Sequence, residues 1–206
     1  MNVSAVIVTR GDVDLSPVLN SLPRHWEKVV VDNSREPQDF KVYGRFVGVQ
    51  RASHSICFVQ DDDCVIEQPQ ELVDAWVDAS SLEEHNGIEF PAHVVCNMPA
   101  NFRHSFYQEH ALIGFGGVFH KHTPDAVFRR LLGPHGHMTR LLNNEFLKCC
   151  DIAFTALSPR VLVDVPYRDL AWASAPNRMW TQPDHRSGRA EFLRRVLAFK
   201  DKEDRP

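Results

Sequence analysis

Ile56-Cys57-Phe58-Val59-Gln60-Asp61-Asp62-Asp63 sets an apolar run directly against three consecutive acids. The run is short, carries β-branched and aromatic residues, and reads as a buried strand over Ile56 to Gln60. Neighbouring carboxylates repel one another and lose hydration when buried, so three of them belong at a sheet's open edge. In extended backbone, residues two apart face the same way. Asp61 and Asp63 are then expected on one side, with Asp62 directed elsewhere. Two such oxygen donors suit a hard cation, Mg²⁺ or Mn²⁺, whose remaining positions are filled by phosphate oxygens and water. A solvated turn is the plainer alternative for a run of acids.

Upstream, Val3 to Thr9 is a β-branched run that stops at Arg10-Gly11-Asp12, a strand followed by a turn. Asp14 to Leu22 carries Leu15, Val18, Leu19 and Leu22 at helical spacing, and Pro23 closes it. Lys28 to Val31 predicts a second strand, ending at the turn-forming Asp32-Asn33-Ser34. Strand, helix and strand in that order indicate a parallel α/β unit, whose ligands bind beyond the carboxyl ends of the strands. Phe46 to Gln50 predicts a short third strand before Ile56.

Downstream, Pro69 to Ala79 has the apolar face of a helix in Leu72, Val73, Ala75 and Trp76. Gly87 to Val95 predicts a strand, and Ile113 to His120 a glycine-rich segment turning apolar. Helices are expected over Asp125 to Leu132 and Asn144 to Leu157, flanking a loop at Gly133 to His137, and over Ala190 to Phe199. The 206 residues, 43% apolar and 24% charged, suffice for one buried core, and the chain reads as a single domain over 1–206. No apolar stretch approaches the roughly 18–20 residues of a membrane span, and the start lacks the pattern of a signal peptide; the expected location is the cytoplasm. Five cysteines without a CxxC pair read as reduced, buried thiols. A net charge of −4 speaks against general affinity for polyanions, although Arg178, Arg186, Arg189, Arg194 and Arg195 form a locally basic stretch.

In order along the chain, SAVIVTR, VVVDNS, FVQDDDCVI, GFGGVFHK and CCDIAFTAL make the sequence resemble nucleotide-sugar glycosyltransferases of the GT-A fold, similar to glycosyltransferase family 2 and the exostosin-like enzymes. The resemblance implies a Rossmann-related, mainly parallel α/β sheet flanked by helices. It implies sugar transfer from a UDP- or GDP-sugar with Mn²⁺ or Mg²⁺. By the same resemblance, Thr9 and Arg10 line the nucleotide pocket, Asp32 bonds the donor base, and Arg51 faces the donor. Asp61 and Asp63 match the metal-holding DxD motif, with Asp62 a structural or donor-sugar contact. Asp151 matches the acid that serves as base or meets the acceptor, and His185 falls where another metal or diphosphate ligand stands. Cys150 precedes Asp151 where the family has glutamate, which makes Glu145 a second candidate base.

The chemistry asks for these groups. A cation bridging two phosphates stabilises the leaving diphosphate; guanidinium forks such as Arg186 and Arg189 suit phosphate oxygens; an inverting enzyme needs a carboxylate at the acceptor hydroxyl. Other motifs are weaker. Two HxH pairs, His120 with His122 and His135 with His137, read as loop or surface histidines. Gly114-Phe115-Gly116-Gly117 lacks the lysine of a P-loop and reads as a close backbone approach to a sugar. Trp172 and Trp180 suit either stacking or core filling. A nucleotidyltransferase and a non-catalytic nucleotide- or glycan-binding module are the rival readings. The acceptor is open; the arginine-rich stretch keeps a hydroxymethylated base of phage DNA in view, which requires the base to be flipped from its stack.

Overall fold

The computed structural model describes residues 1–85, 92–98, 113–132 and 144–203. Its main sheet has six strands: β1 (Val3–Thr9), β2 (Glu27–Asp32), β3 (Ile56–Asp61), β5 (Val94–Asn97), β6 (Gly117–His120) and β7 (Arg160–Val163). Their spatial order is β2-β1-β3-β6-β5-β7. β1 pairs in parallel with both β2 and β3, β5 pairs in parallel with β7, and only β6 runs against its neighbours β3 and β5. The fold is a mixed, mainly parallel α/β sheet of GT-A type. A second ribbon pairs β4 (Cys64–Ile66) with β8 (Tyr167–Asp169).

Helices cover both faces: α1 (Ser16–Ser21), α2 (Gly44–Arg51), α3 (Pro69–His85), α4 (Thr123–Leu132), α5 (Asn144–Leu157) and α6 (His185–Glu203). One apolar layer, under α2, α4, α5 and α6, is built from Phe46, Phe119, Phe128, Phe146 and Phe154. The other, under α1 and α3, holds Trp26, Phe58, Leu72 and Trp76. All seven residues of β1 are buried, as befits a central strand covered on both faces. All five cysteines are free and buried.

The strand expected over Phe46 to Gln50 is instead helix α2. Gly44 and Gly48, one turn apart, lie flat against the sheet: a Cβ at either would collide with Val8 or Val6 of β1. That close seating places Phe46 and Val49 in the core and overrides the β preference of the valines. α1 is shorter than expected, α3 continues past Ala79 to His85, and α6 begins five residues before Ala190. Residues 87–91 of one expected strand, the loop at 133–137 and its His135/His137 pair lie outside the described residues. Among the described residues no helix is long and apolar enough to cross a membrane.

Candidate active site

β3 ends at Asp61, and Asp62-Asp63 form the turn into β4. The alternation expected of extended backbone therefore stops at Asp61, and the turn separates the three acids in a different way. Each has its own environment.

Asp62 is buried, and both of its oxygens are taken. Thr9 Oγ1, at the end of β1, donates to Oδ2 at 2.7 Å, and Arg178 Nη1 reaches Oδ1 at 3.2 Å. Burial pushes the Asp62 carboxyl up, and the Thr9 bond and the Arg178 charge only partly offset it. Asp61 faces Arg45, the second residue of α2. Arg45 Nε lies 3.0 Å from Asp61 Oδ1, and Nη2 bonds the same oxygen. Asp63 makes no side-chain hydrogen bond or ion pair among the described residues. Burial, then the charges of Asp61 and Asp62, push its carboxyl up to about 7.

Arg45 is 1% exposed and its other nitrogen, Nη1, lies 3.7 Å from Asp151 Oδ2. Asp151 stands in the middle of α5, not at a helix start, and is 3% exposed. Arg189 Nη2 bonds its Oδ2 at 2.8 Å, and its Oδ1 accepts the Ile152 amide. Burial works to raise its pKa, but the guanidiniums of Arg189 and Arg45 prevail and hold it below the usual range. A buried carboxylate so enclosed is an anchor for two arginines, and the geometry does not present it to an acceptor hydroxyl. Asp61, Arg45, Asp151 and Arg189 thus form one continuous chain of alternating charge. His185 stands beside it, pushed down to about 4 by burial and then by Arg189, and so neutral at physiological pH.

The remaining sequence-derived candidates are placed elsewhere or otherwise occupied. Asp32 Oδ1 caps Ser34 through its amide and hydroxyl, and Oδ2 pairs with Arg35. Arg51 pairs through both terminal nitrogens with Glu36. Arg10 holds Asp12 and the Asn177 carbonyl at the site's margin. Arg186 is exposed. Glu145, the second candidate base, is near the surface and paired with Arg195. Of the basic stretch, Arg178 and Arg189 are buried on aspartates, while Arg194 and Arg195 pair with Glu191 and Glu145. Arg186, Arg194 and Arg195 remain at the surface.

Two residues that sequence reasoning missed organise the centre. Arg45 was hidden by reading its surroundings as a strand; Gly44 and Gly48 four apart, with Phe46 and Val49 three apart, were the helical signal. Arg178 stood among other arginines with nothing local to single it out. Its segment is fastened to the aspartate turn at two further points, Leu170 N to Asp63 O at 2.8 Å and Trp172 Nε1 to Asp62 O at 2.8 Å, and is braced internally by Arg178 Nε to Trp172 O at 3.2 Å. Trp172 is thereby a structural tryptophan, whereas Trp180 is 55% exposed. Gly114 also serves the centre, since a Cβ there would strike the Asp61 carboxylate and crowd Arg45 Nη2. The glycine-rich segment makes a close backbone approach to Asp61.

As to a cation, the donors on offer are hard oxygens, which suits Mg²⁺ or Mn²⁺. Asp63 is raised first by burial and then by the two further acids that crowd it, and a bound cation would relieve that crowding. Among the described residues no group of three or more His, Cys, Asp or Glu side chains is arranged to hold a metal. His185 is therefore not joined with Asp61 and Asp63 in one ligand set.

No protein-family profile matches the chain, and no curated protein matches it either. Solved structures do. TarS of S. aureus, a GT-A-type glycosyltransferase, superposes with a TM-score of 0.50 at 12% identity, over 83% of this chain and 37% of TarS. TarS 1–349 in complex with UDP gives a TM-score of 0.51 at 13% identity, over 96% of this chain and 72% of that one. The chain thus spans about a third of the longer TarS chain. At such identity the likeness lies in the fold alone, a GT-A-like α/β arrangement.

Proposed function

We propose that this chain transfers a sugar from a nucleoside diphosphate donor, a UDP-sugar in the first instance, to a hydroxyl acceptor, with a divalent cation at Asp61 and Asp63. One observation carries this reading. Three aspartates cluster at the carboxyl end of β3, two of them paired with buried arginines, in a fold shared with a protein crystallised with UDP. Ligands of such sheets bind at that edge.

In this reading the chain's own residues divide the work. Thr9, Asp62 and Arg178 fix the aspartate turn, so Asp62 positions and does not ligate. Asp63 and the second oxygen of Asp61 are left to face the donor. Arg178 Nη2 is buried without a hydrogen-bond partner among the described residues, so the turn retains an uncommitted N–H donor beside its acids. A cation held there would supply Lewis-acid stabilisation of the departing diphosphate. Asp151 anchors Arg45 and Arg189. The nucleotidyltransferase reading loses ground at the first turn. Gly11, at φ +79°, sits so close to Asp32 and Ser34 at the end of β2 that a Cβ there would collide with both, so side chains fill the space beside the first turn.

The test is turnover of UDP-sugars and GDP-sugars with Mn²⁺, Mg²⁺ or a chelator, read as release of the nucleoside diphosphate. Metal-stimulated release from a UDP-sugar supports the reading. Absence of release, together with no binding of either nucleotide, overturns it.

A further inference from the structure

We propose that Arg45 is a positioning residue that couples Asp61 to Asp151, so that the orientation of the donor-side carboxylate is set from the far side of the centre. The inference rests on the metal reading of Asp61 given above. Two nitrogens of Arg45 hold a single oxygen of Asp61, leaving Oδ2 as the oxygen free to meet a cation. From the other side, the Gly114 backbone passes so close to Oδ2 that no side chain fits there. The carboxylate is therefore held between a guanidinium and a backbone wall, and has little freedom to rotate.

What holds Arg45 in turn is Asp151. Its Nη1 is buried, makes no hydrogen bond among the described residues, and sits 3.7 Å from Asp151 Oδ2. That separation is an ion pair just beyond hydrogen-bond length. Desolvation disfavours the buried guanidinium, and the charges of Asp61 and Asp151 more than compensate, so Arg45 stays charged. Asp151 is itself fixed by Arg189 from α6, which also bonds the Lys148 carbonyl at 2.7 Å. Orientation passes from α6 through Asp151 and Arg45 to Asp61 by contacts that are all on side chains with less than a tenth of their surface exposed, Asp61 excepted. Groups that orient a metal ligand in this way typically alter metal affinity about 10–100-fold when changed.

The experiment is a double-mutant cycle read as Mn²⁺ affinity, by electron paramagnetic resonance on the full chain with saturating UDP. The variants are Arg45→Lys, Asp151→Asn and the pair. Arg45→Lys keeps the charge but cannot grip with two nitrogens. Each single change is expected to weaken Mn²⁺ binding about tenfold, and the pair no more than the stronger single change, because both break one line of contact. Gly114→Ala presses on the Asp61 carboxylate and Arg45 Nη2 while leaving every charge in place, and is expected to weaken Mn²⁺ binding as well; it stands in if an ion-pair variant fails to fold. Mn²⁺ affinity that is unchanged in Asp151→Asn, or losses that multiply in the pair, would overturn the coupling while leaving the metal reading intact. Wild-type protein that binds no Mn²⁺ overturns both.

Discussion

Arg178 Nη1 lies 3.2 Å from Asp62 Oδ1, joining the aspartate turn to a segment 116 positions further along the chain. Both side chains are more than nine-tenths buried. Thr9 completes the triad from β1. The turn that carries the three acids is thus held by its middle member.

Asp62→Ala leaves Arg178 buried without its closest counter-charge. Breaking one side of a buried pair costs about 3–5 kcal/mol, and Asp12 and Asp63, which also feel the Arg178 charge, place the expected loss near the lower end. Urea unfolding measures it. A loss under about 1 kcal/mol would equal an exposed pair and would contradict the structural role of Asp62.

Arg178→Met is expected to loosen the segment from Leu170 to Gln182, whose other ties to the turn are backbone and indole hydrogen bonds. Hydrogen exchange should quicken in peptides covering that segment and the Asp62–Asp63 turn, and stay slow in β1 and β3. Uniformly quicker exchange across the sheet would mean that Arg178 supports the whole fold and not the turn.

Asp63 and His185 give opposite dependences of stability on pH. Asp63 titrates near 7 when folded, against about 3.9 for an unperturbed Asp. The folded chain therefore binds the extra proton between those values, and stability falls as pH rises through this window. Asp63→Asn should remove that fall. His185 titrates near 4 when folded, against about 6.5 unperturbed. Here the unfolded chain binds the extra proton, so stability rises with pH between about 4 and 6.5, and His185→Gln should remove the rise. Thermal unfolding across pH 4 to 8 without metal reads both differences; the same sign for the two variants would contradict the assigned environments.

The sheet was legible because its central strands are buried on both faces and so read as unbroken apolar runs: Val3–Thr9 and Ile56–Asp61 are where the sequence indicates them. α2 was not, because Val47 and Val49 favour strands and the force that wins is tertiary, two glycines seated on β1. The site was legible in part. Asp61, Asp62 and Asp63 declare themselves by clustering, yet their division of labour depends on Arg45 and Arg178, which come from distant segments. Asp151 was found through its motif, but its enclosure by two guanidiniums depends on how α5 packs against α2 and α6. Short motifs reveal residue types at a strand end; they do not reveal which counter-charges the fold will bring there.

Asp63 also offers the cleanest probe of the central claim, because among the described residues its side chain has no hydrogen-bond or ion-pair partner to strand when removed, unlike Asp61 and its buried arginine. The decisive measurement is the thermal shift produced by UDP with and without Mn²⁺, in the wild type and in Asp63→Asn. A ligand bound only by the native state raises apparent stability. UDP should stabilise the wild type more when Mn²⁺ is present, and the variant should fold but lose the Mn²⁺-dependent part. Full metal-dependent stabilisation surviving in Asp63→Asn, or no response of the wild type to UDP under either condition, would contradict it.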